Sequence, residues 1–216
     1  MGRRHVFGDP QLWLDTFPES LIPEIIQLIL RVWSELPRTD RGEMEVSITK
    51  RFRSALIQDK NLRKEIPVRI ERESVEDDIN SGEELGRIDL RFTSAYQARE
   101  DVYFAFECKR LNVISNGKFQ SLAGKYVKEG MMRFVVGQYA QALNCGGMLA
   151  YVMDGNLPSA RKAVDAAVRR RCSKLCIAAP TGLRRSVLSK SGCQIDETVH
   201  ALGSRSFTLY HLLVKF

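Results

Sequence analysis

The chain lacks any apolar run long enough to cross a membrane. Its most hydrophobic N-terminal segment, LIPEIIQLIL at 21–30, is interrupted by Pro23, Glu24 and Gln27 and is far shorter than the roughly 20 residues a span requires. The opening MGRRHVFGDPQ is followed by no secretory apolar region, and Val6 stands where a myristoylation signal needs Ser or Thr. The expected location is the cytoplasm, with no membrane partner. Cysteine is present but without a framework: five residues at 108, 145, 172, 176 and 193 form an odd set with no regular spacing, which fits reduced thiols. Cys172, Cys176, Cys193 and His200 have the ligand types of a zinc site. The Cys-x3-Cys pair, however, sits at the end of an expected helix and no second short-spaced pair follows, so buried free thiols are the better reading. Repeats and linker-like stretches are also missing, which leaves one domain over 1–216.

What is there begins with size and charge. A chain of 216 residues with 44% hydrophobic content can bury a sizeable core. Thirty-three Lys and Arg against 26 Asp and Glu give a formal charge of +7, which favours a polyanionic partner. The charge is segregated. Residues 71–84, ERESVEDDINSGEE, are acidic, whereas KRFR at 50–53, ARKAVDAAVRRRCSK at 160–174 and the pair Arg184–Arg185 are basic. Lys50, Arg51 and Arg53, or Arg161, Lys162, Arg169 and Arg170, are the candidate phosphate contacts.

Apolar periodicity predicts an amphipathic helix over 19–36, read as an accessory layer and part of an N-terminal extension over 10–37. A second helix begins near Glu43 or Glu45, with Val46, Ile48, Phe52, Ala55 and Leu56 on one stripe and Lys50, Arg51 and Arg53 opposite. EIPVRIERE and GRIDLRFTSAY read as strands separated by the acidic loop, and VYFAFECKRLNVI reads as a third. KYVKEGMMRFVVGQYAQAL is helical, with Gly130 and Gly137 on one face; glycine costs about 1 kcal/mol of helix propensity relative to alanine, so that face should approach something closely. GGMLAYVMDG is a strand, LPSARKAVDAAVRRRCSK a basic helix with Pro158 in its first turn, and FTLYHLLVKF a last strand. The order argues for an α/β fold with a mixed central sheet flanked by helices.

Two stretches stand out against this background. FAFECKRL, 104–111, puts Glu107 and Lys109 inside an apolar strand. Alternation places them on one face with Tyr103 and Ala105, and Phe104, Phe106 and Cys108 on the other. GRIDL puts Asp89 between Ile88 and Leu90. Taking a lone charge into an apolar interior costs several kcal/mol, so such residues need a partner, a metal or a chemical role. If the two strands form a hairpin that aligns Asp89 with the Glu107 face, two carboxylates meet one ammonium. At about 4 Å the carboxylates repel by ~4 kcal/mol at an effective dielectric near 20. A divalent cation would offset that, and oxygen-only ligands favour Mg²⁺ or Mn²⁺ over zinc. An ordinary ion pair between Glu107 and Lys109 is the competing reading.

GRIDL, 17 intervening residues and FAFECKRL resemble the D…(D/E)XK signature of the PD-(D/E)XK nuclease superfamily, and the element order over 43–153 resembles the αβββαβ core of that restriction-endonuclease-like fold. Residues 154–216 would complete the fold with a helix and a strand. The first motif reads Ile-Asp rather than Pro-Asp. The resemblance implies that Asp89, Glu107 and the Cys108 carbonyl hold Mg²⁺, with Mn²⁺ as a substitute, and that Lys109 orients the attacking water and stabilises phosphate charge. It further implies that Glu45, with Glu43 as competitor, is the core-helix acid that reaches metal through water; an interaction with the helix dipole is the alternative. Arg133, Gln138 and Tyr139 in RFVVGQYA are similar to polar residues near the substrate, with plain solvent exposure the alternative for Gln138.

The implied activity is metal-dependent hydrolysis of phosphodiester bonds, most directly by a DNA endonuclease of restriction, phage defence or DNA processing, with RNA the other candidate substrate. Cutting both strands with one site per chain favours a homodimer, or membership of a larger defence or repair complex. The alternative is a binding module that keeps the fold without catalysis.

Overall fold

The structure is a computed structural model that describes residues 16–59, 66–71, 74–77, 84–96, 99, 101–140, 142–190 and 193–216. Residues 10–15 of the expected N-terminal extension lie outside the described residues. Two helices lead the described chain, α1 (Leu21–Glu35) and α2 (Glu45–Gln58). Seven strands follow to the next helix: β1 (Val68–Glu71), β2 (Ser74–Asp77), β3 (Glu84–Ile88), β4 (Leu90–Ser94), β5 (Phe104–Leu111), β6 (Val113–Ser115) and β7 (Lys118–Gln120). Helix α3 runs through Ala123–Lys125, a π-helical stretch Tyr126–Met131, and Met132–Val135. Then come β8 (Cys145–Val152), α4 (Leu157–Arg169), β9 (Arg184–Arg185), β10 (Ile195–Leu202) and β11 (Arg205–Lys215).

Seven strands form one mixed sheet in the order β1-β4-β5-β8-β11-β10-β9. β5 pairs parallel with β8 and β8 parallel with β11, while the other neighbours are antiparallel. β5 and β8 lie at the centre and are covered on both faces, which is why they read as near-continuous apolar runs. On one face, Phe104, Phe106 and Cys108 of β5 join α1 and α2 in a single core; on the other, Ala105 and Leu111 join α3 and α4. The alternation expected for FAFECKRL is therefore present.

Helix α1, expected as an accessory layer, is integral to that first core: Ile25, Ile26 and Ile29 are wholly buried, and Trp33 stacks on Tyr151 of β8 at 4.9 Å. The stripe on α2 is formed by Ile48, Thr49, Phe52, Arg53 and Leu56; Val46, expected on it, is exposed. The acidic segment expected as a loop contributes β2, which pairs with β3 as a separate two-stranded ribbon. The C-terminal part holds more than the expected helix and strand, because β9 and β10 add two strands beyond β11. β10 reads IDETVHAL, whose buried polar residues hid it: Asp196, Glu197, Thr198 and His200 are all buried with partners in reach. The thiols expected to be buried are not: Cys172 and Cys193 are half-buried and Cys176 is exposed, since they lie outside the central strands, whereas Cys108 on β5 and Cys145 on β8 are buried.

The two glycines expected on one helical face have different roles. Gly130 lies in the π-helical stretch with Met148 of β8 against its Cα, the close approach its presence suggested. Gly137 lies beyond the helix at φ +75°, with open space where a Cβ would stand. It closes a Schellman motif, with Gln138 N–H donating to the Arg133 carbonyl (2.8 Å) and Gly137 N–H to that of Phe134 (3.2 Å). The expected helix over 125–143 thus stops at Val135.

Gly147 on β8 faces Phe106 on β5 as its register partner, and an added Cβ would overlap the Phe106 ring. Gly147→Ala should lower stability by about 1–3 kcal/mol through overpacking. Gly124→Ala, in the first turn of α3 with nothing near its would-be Cβ, should be neutral or gain up to ~1 kcal/mol. Denaturant unfolding of the two variants checks both signs.

Candidate active site at the fork of the sheet

β4 pairs with β5 through only three register positions, Phe92–Phe104, Arg91–Ala105 and Leu90–Phe106. N-terminal to Leu90 the chain departs, and β3 pairs with β2 instead. β5 continues past the fork beside β8 alone, as far as Leu111–Val152. Its backbone N–H groups on the open side would be buried without acceptors, which costs about 1–3 kcal/mol each. Two carboxylates supply the missing acceptors. Asp89 Oδ2 takes the Cys108 N–H at 2.7 Å, and Glu45 Oε2, from the first turn of α2, takes the Arg110 N–H at 2.8 Å.

Asp89 sits at the point of divergence, one step beyond the Leu90–Phe106 pair, so the antiparallel register carries it opposite Glu107. Its own carbonyl is held by Arg53, whose Nε and NH2 donate at 3.0 and 2.6 Å. Arg53, expected on the outer basic face of α2, is buried and braces the fork. The spacing 49, 52, 53, 56 carries that information, since Arg53 falls within the apolar stripe rather than opposite it.

Glu107 is wholly buried. Lys109 Nζ donates to Glu107 Oε1 (2.7 Å), Glu45 Oε1 (3.0 Å) and the Cys108 carbonyl (3.0 Å). Arg133 on α3 reaches Glu107 from the other side, NH1 lying 3.0 Å from Oε1 and 3.1 Å from Oε2. The Schellman turn after α3 folds the chain back so that Tyr139 lies behind Arg133: its hydroxyl accepts from Arg133 NH1 (2.6 Å) and donates to the Arg87 carbonyl (2.6 Å). Tyr139 is buried, its ring edge-on to Phe134 at 5.7 Å, so it orients Arg133 rather than facing a substrate. Gln138 is half-buried in the turn.

Three carboxylates, Asp89, Glu107 and Glu45, are thus gathered around two cations, Lys109 and Arg133. The imbalance shows in their acidities. Burial raises the Asp89 carboxyl above its usual range, and burial first and then Asp89 push Glu107 up to about 7 despite its two cationic partners. Burial alone would pull Lys109 down, but Glu107, Glu45 and Asp89 together hold it above its ordinary value. Burial opposes Arg133 in the same way, and Glu107 outweighs it. The cluster is short of positive charge.

Asp89, Glu107 and the Cys108 carbonyl are oxygen donors suited to Mg²⁺ or Mn²⁺. Among the described residues no three acidic, imidazole or thiol side chains converge as a ready-made metal cluster. Lys109 Nζ bridges Glu45 and Glu107 and takes the Cys108 carbonyl. The donor set and the charge deficit fit a divalent cation, provided the ammonium gives up the Cys108 carbonyl. Glu43, the competitor of Glu45, faces elsewhere: its carboxylate pairs with Arg51 at 2.9 Å, and only its carbonyl touches the site region, accepting from Arg110 NH1 at 2.9 Å.

The other expected substrate contacts do not join the fork. Arg51 is held by Glu43 and the Pro37 carbonyl. Arg161 makes a two-pronged pair with Asp196 on β10, three strands across the sheet from β5, and Arg169 pairs with Asp165 on its own helix. Lys50 is exposed on α2. Cys172 and Cys176 lie beyond α4, and His200 is buried between the Leu175 carbonyl and Thr198.

The geometry sets the response to substitution. Asp89→Ala leaves the Cys108 N–H without its acceptor and should destabilise by about 1–3 kcal/mol, whereas Asp89→Asn keeps an oxygen there and should unfold near the parent; chemical denaturation separates the two. For Glu107, a folded-state acidity lowered to a pKa of about 7 against an unfolded value near 4.5 means that its contribution is complete below pH 4.5 and is lost as pH rises through 7. In chelator, the parent should lose on the order of a few kcal/mol between pH 5 and 8 that Glu107→Gln does not lose. Parallel profiles for the two proteins would contradict the assignment.

Comparison of the chain with protein-family models, with curated proteins and with solved structures gives no match to any of them.

Proposed function

We propose that the chain is a divalent-metal-dependent nuclease that hydrolyses phosphodiester bonds, most directly a DNA endonuclease of restriction, phage defence or DNA processing acting in the cytoplasm. The observation that carries the reading is the charge-deficient cluster at the fork, where Asp89, between β3 and β4, meets Glu107 and Lys109 of β5 with Glu107 pushed up to about 7. A Glu107–Lys109 ion pair gains nothing from Asp89, whose charge raises the Glu107 carboxyl against the pull of Lys109 and Arg133. The run α2, β1, β4, β5, α3, β8, with β5 and β8 parallel, has the order of the αβββαβ core that the motifs resemble, and supports the same reading.

Each residue then has a task. Asp89, Glu107 and the Cys108 carbonyl would hold Mg²⁺, which when bound supplies Lewis-acid stabilisation of the developing oxyanion and lowers the pKa of water. Lys109, one-tenth exposed at its side chain, holds and orients the attacking water and stabilises negative charge on the phosphate. Arg133 is one-third exposed and offers its guanidinium to a phosphate oxygen from the α3 side, with Tyr139 fixing its direction. Glu45 keeps Lys109 protonated and pointed at the fork.

One observation favours a second reading, a binding module without catalysis: Asp89 and Glu45 already serve as acceptors for strand N–H groups. Lys109→Met separates the two because it keeps the stem and deletes the charge. With Mg²⁺ and DNA saturating, the variant should still bind DNA but cut at least ~100-fold more slowly, the loss falling in kcat rather than KM. A rate within threefold of the parent, equivalent to only ~0.7 kcal/mol, would contradict the catalytic role.

A further inference from the structure

Immediately after β5 the chain makes a hairpin that carries two large apolar side chains into solvent. β6 and β7 pair with Ile114 directly opposite Phe119 and Ser115 opposite Lys118. The connecting Asn116 and Gly117 have φ of 50° and 70°, the two left-handed residues of a type I′ turn, so the hairpin is tight and its register is set. Directly opposed residues project from the same face, and Ile114 and Phe119 are 72% and 58% exposed. The base of the hairpin is fastened: Asn112 N–H donates to the Ser121 carbonyl (3.1 Å), and the buried Asn112 side chain donates to Asp154 (3.0 and 3.2 Å). A short fastened ribbon that presents an aliphatic and an aromatic side chain together is shaped for insertion rather than for covering a core of its own.

Its surroundings indicate what it enters. From Asn112 to Lys128 the sequence contains three exposed lysines, 118, 125 and 128; the nearest carboxylates are Asp154, taken up by Asn112 at the base of the hairpin, and Glu129 beyond Lys128. Lys118 stands on the hairpin itself, opposite Ser115, and β6 starts two residues after the end of β5, the strand that carries Glu107 and Lys109. A protein partner contacting Ile114 and Phe119 would have to meet the neighbouring Lys118 with an acidic group; a nucleic-acid strand meets it with a phosphate and offers base faces to the two apolar groups.

We propose that the β6–β7 hairpin is a wedge that enters the base stack of DNA bound at the fork, Phe119 stacking on an exposed base and Ile114 filling the space beside it, with Lys118, Lys125 and Lys128 holding the flanking phosphates. The proposal rests on the reading of the chain as a DNA-binding protein. It makes a locally unstacked or single-stranded site the preferred substrate.

The test uses oligonucleotides carrying 2-aminopurine, whose fluorescence rises on unstacking, with the full chain in chelator so that no cleavage is needed. Anisotropy of a labelled copy reports binding separately. The parent should raise the 2-aminopurine signal at one position of a duplex, and Phe119→Ala with Ile114→Ala should abolish that rise and weaken binding roughly 5- to 150-fold, the range for losing one stacked base. Phe119→Trp should retain both. Equal signals from parent and double variant on bound DNA would overturn the wedge while leaving DNA binding intact. Absence of DNA binding by the parent would overturn the underlying reading and the wedge with it. A parent that is dimeric by light scattering and becomes monomeric in the double variant would overturn the wedge in favour of a second copy of the chain as the occupant.

Discussion

The open edge of β5 beyond the fork is the constraint on which the site depends. Buried peptide N–H groups must have acceptors, and once β4 has diverged no strand among the described residues provides them for Cys108 and Arg110. Side-chain carboxylates from two distant segments fill the gap. Asp89 comes from the very residue at which the neighbouring strand turns away, and Glu45 from the first turn of α2. Both are drawn into a low-dielectric region by a hydrogen-bonding demand, and once there they impose an electrostatic one. Glu107 adds a third carboxylate from β5 itself, and Lys109 and Arg133 answer it incompletely. A structural requirement of the backbone thereby gathers a cluster of charge.

The supports around the cluster are arranged by the same economy of acceptors and donors. Arg53 holds the Asp89 carbonyl left unpaired by the divergence, Tyr139 holds that of Arg87, and the Gly137 turn brings Tyr139 to Arg133. Gly147 and Gly130 let Phe106 and Met148 pack close, so β5, β8 and α3 lie near enough for Arg133 to span the space to Glu107.

Much of this was legible in the sequence because period and charge contradict each other there. Glu107, Lys109 and Asp89 are conspicuous as charges within apolar strands, and alternation alone assigns the faces of FAFECKRL. Helices α1 and α2 follow from their stripes, and α4 from Pro158 in the first turn of a basic run. What could not be read is what depends on partners far along the chain. β10 resembles a polar loop until Arg161, Arg184 and the buried histidines are seen to satisfy its polar side chains. Arg51, Arg161 and Arg169 look like a phosphate-binding surface in the sequence, yet Glu43, Asp196 and Asp165 neutralise them within the fold. Arg53 sits in a basic run but acts inward, and the helix after β5 ends early because Gly137 takes a left-handed conformation that composition does not reveal.

On the proposed function, the fork, short of positive charge, would take a divalent cation through Glu107 as well as Asp89. Calorimetric titration with Mn²⁺ at pH 6.5, repeated in buffers of different ionisation enthalpy, tests it without any assumption about substrate. A carboxyl with a pKa of about 7 is mostly protonated at that pH, so binding should release roughly 0.7 proton per site, and Glu107→Gln should bind more weakly and release none from this position. Saturable binding without proton release, or no binding by the folded parent, would contradict it.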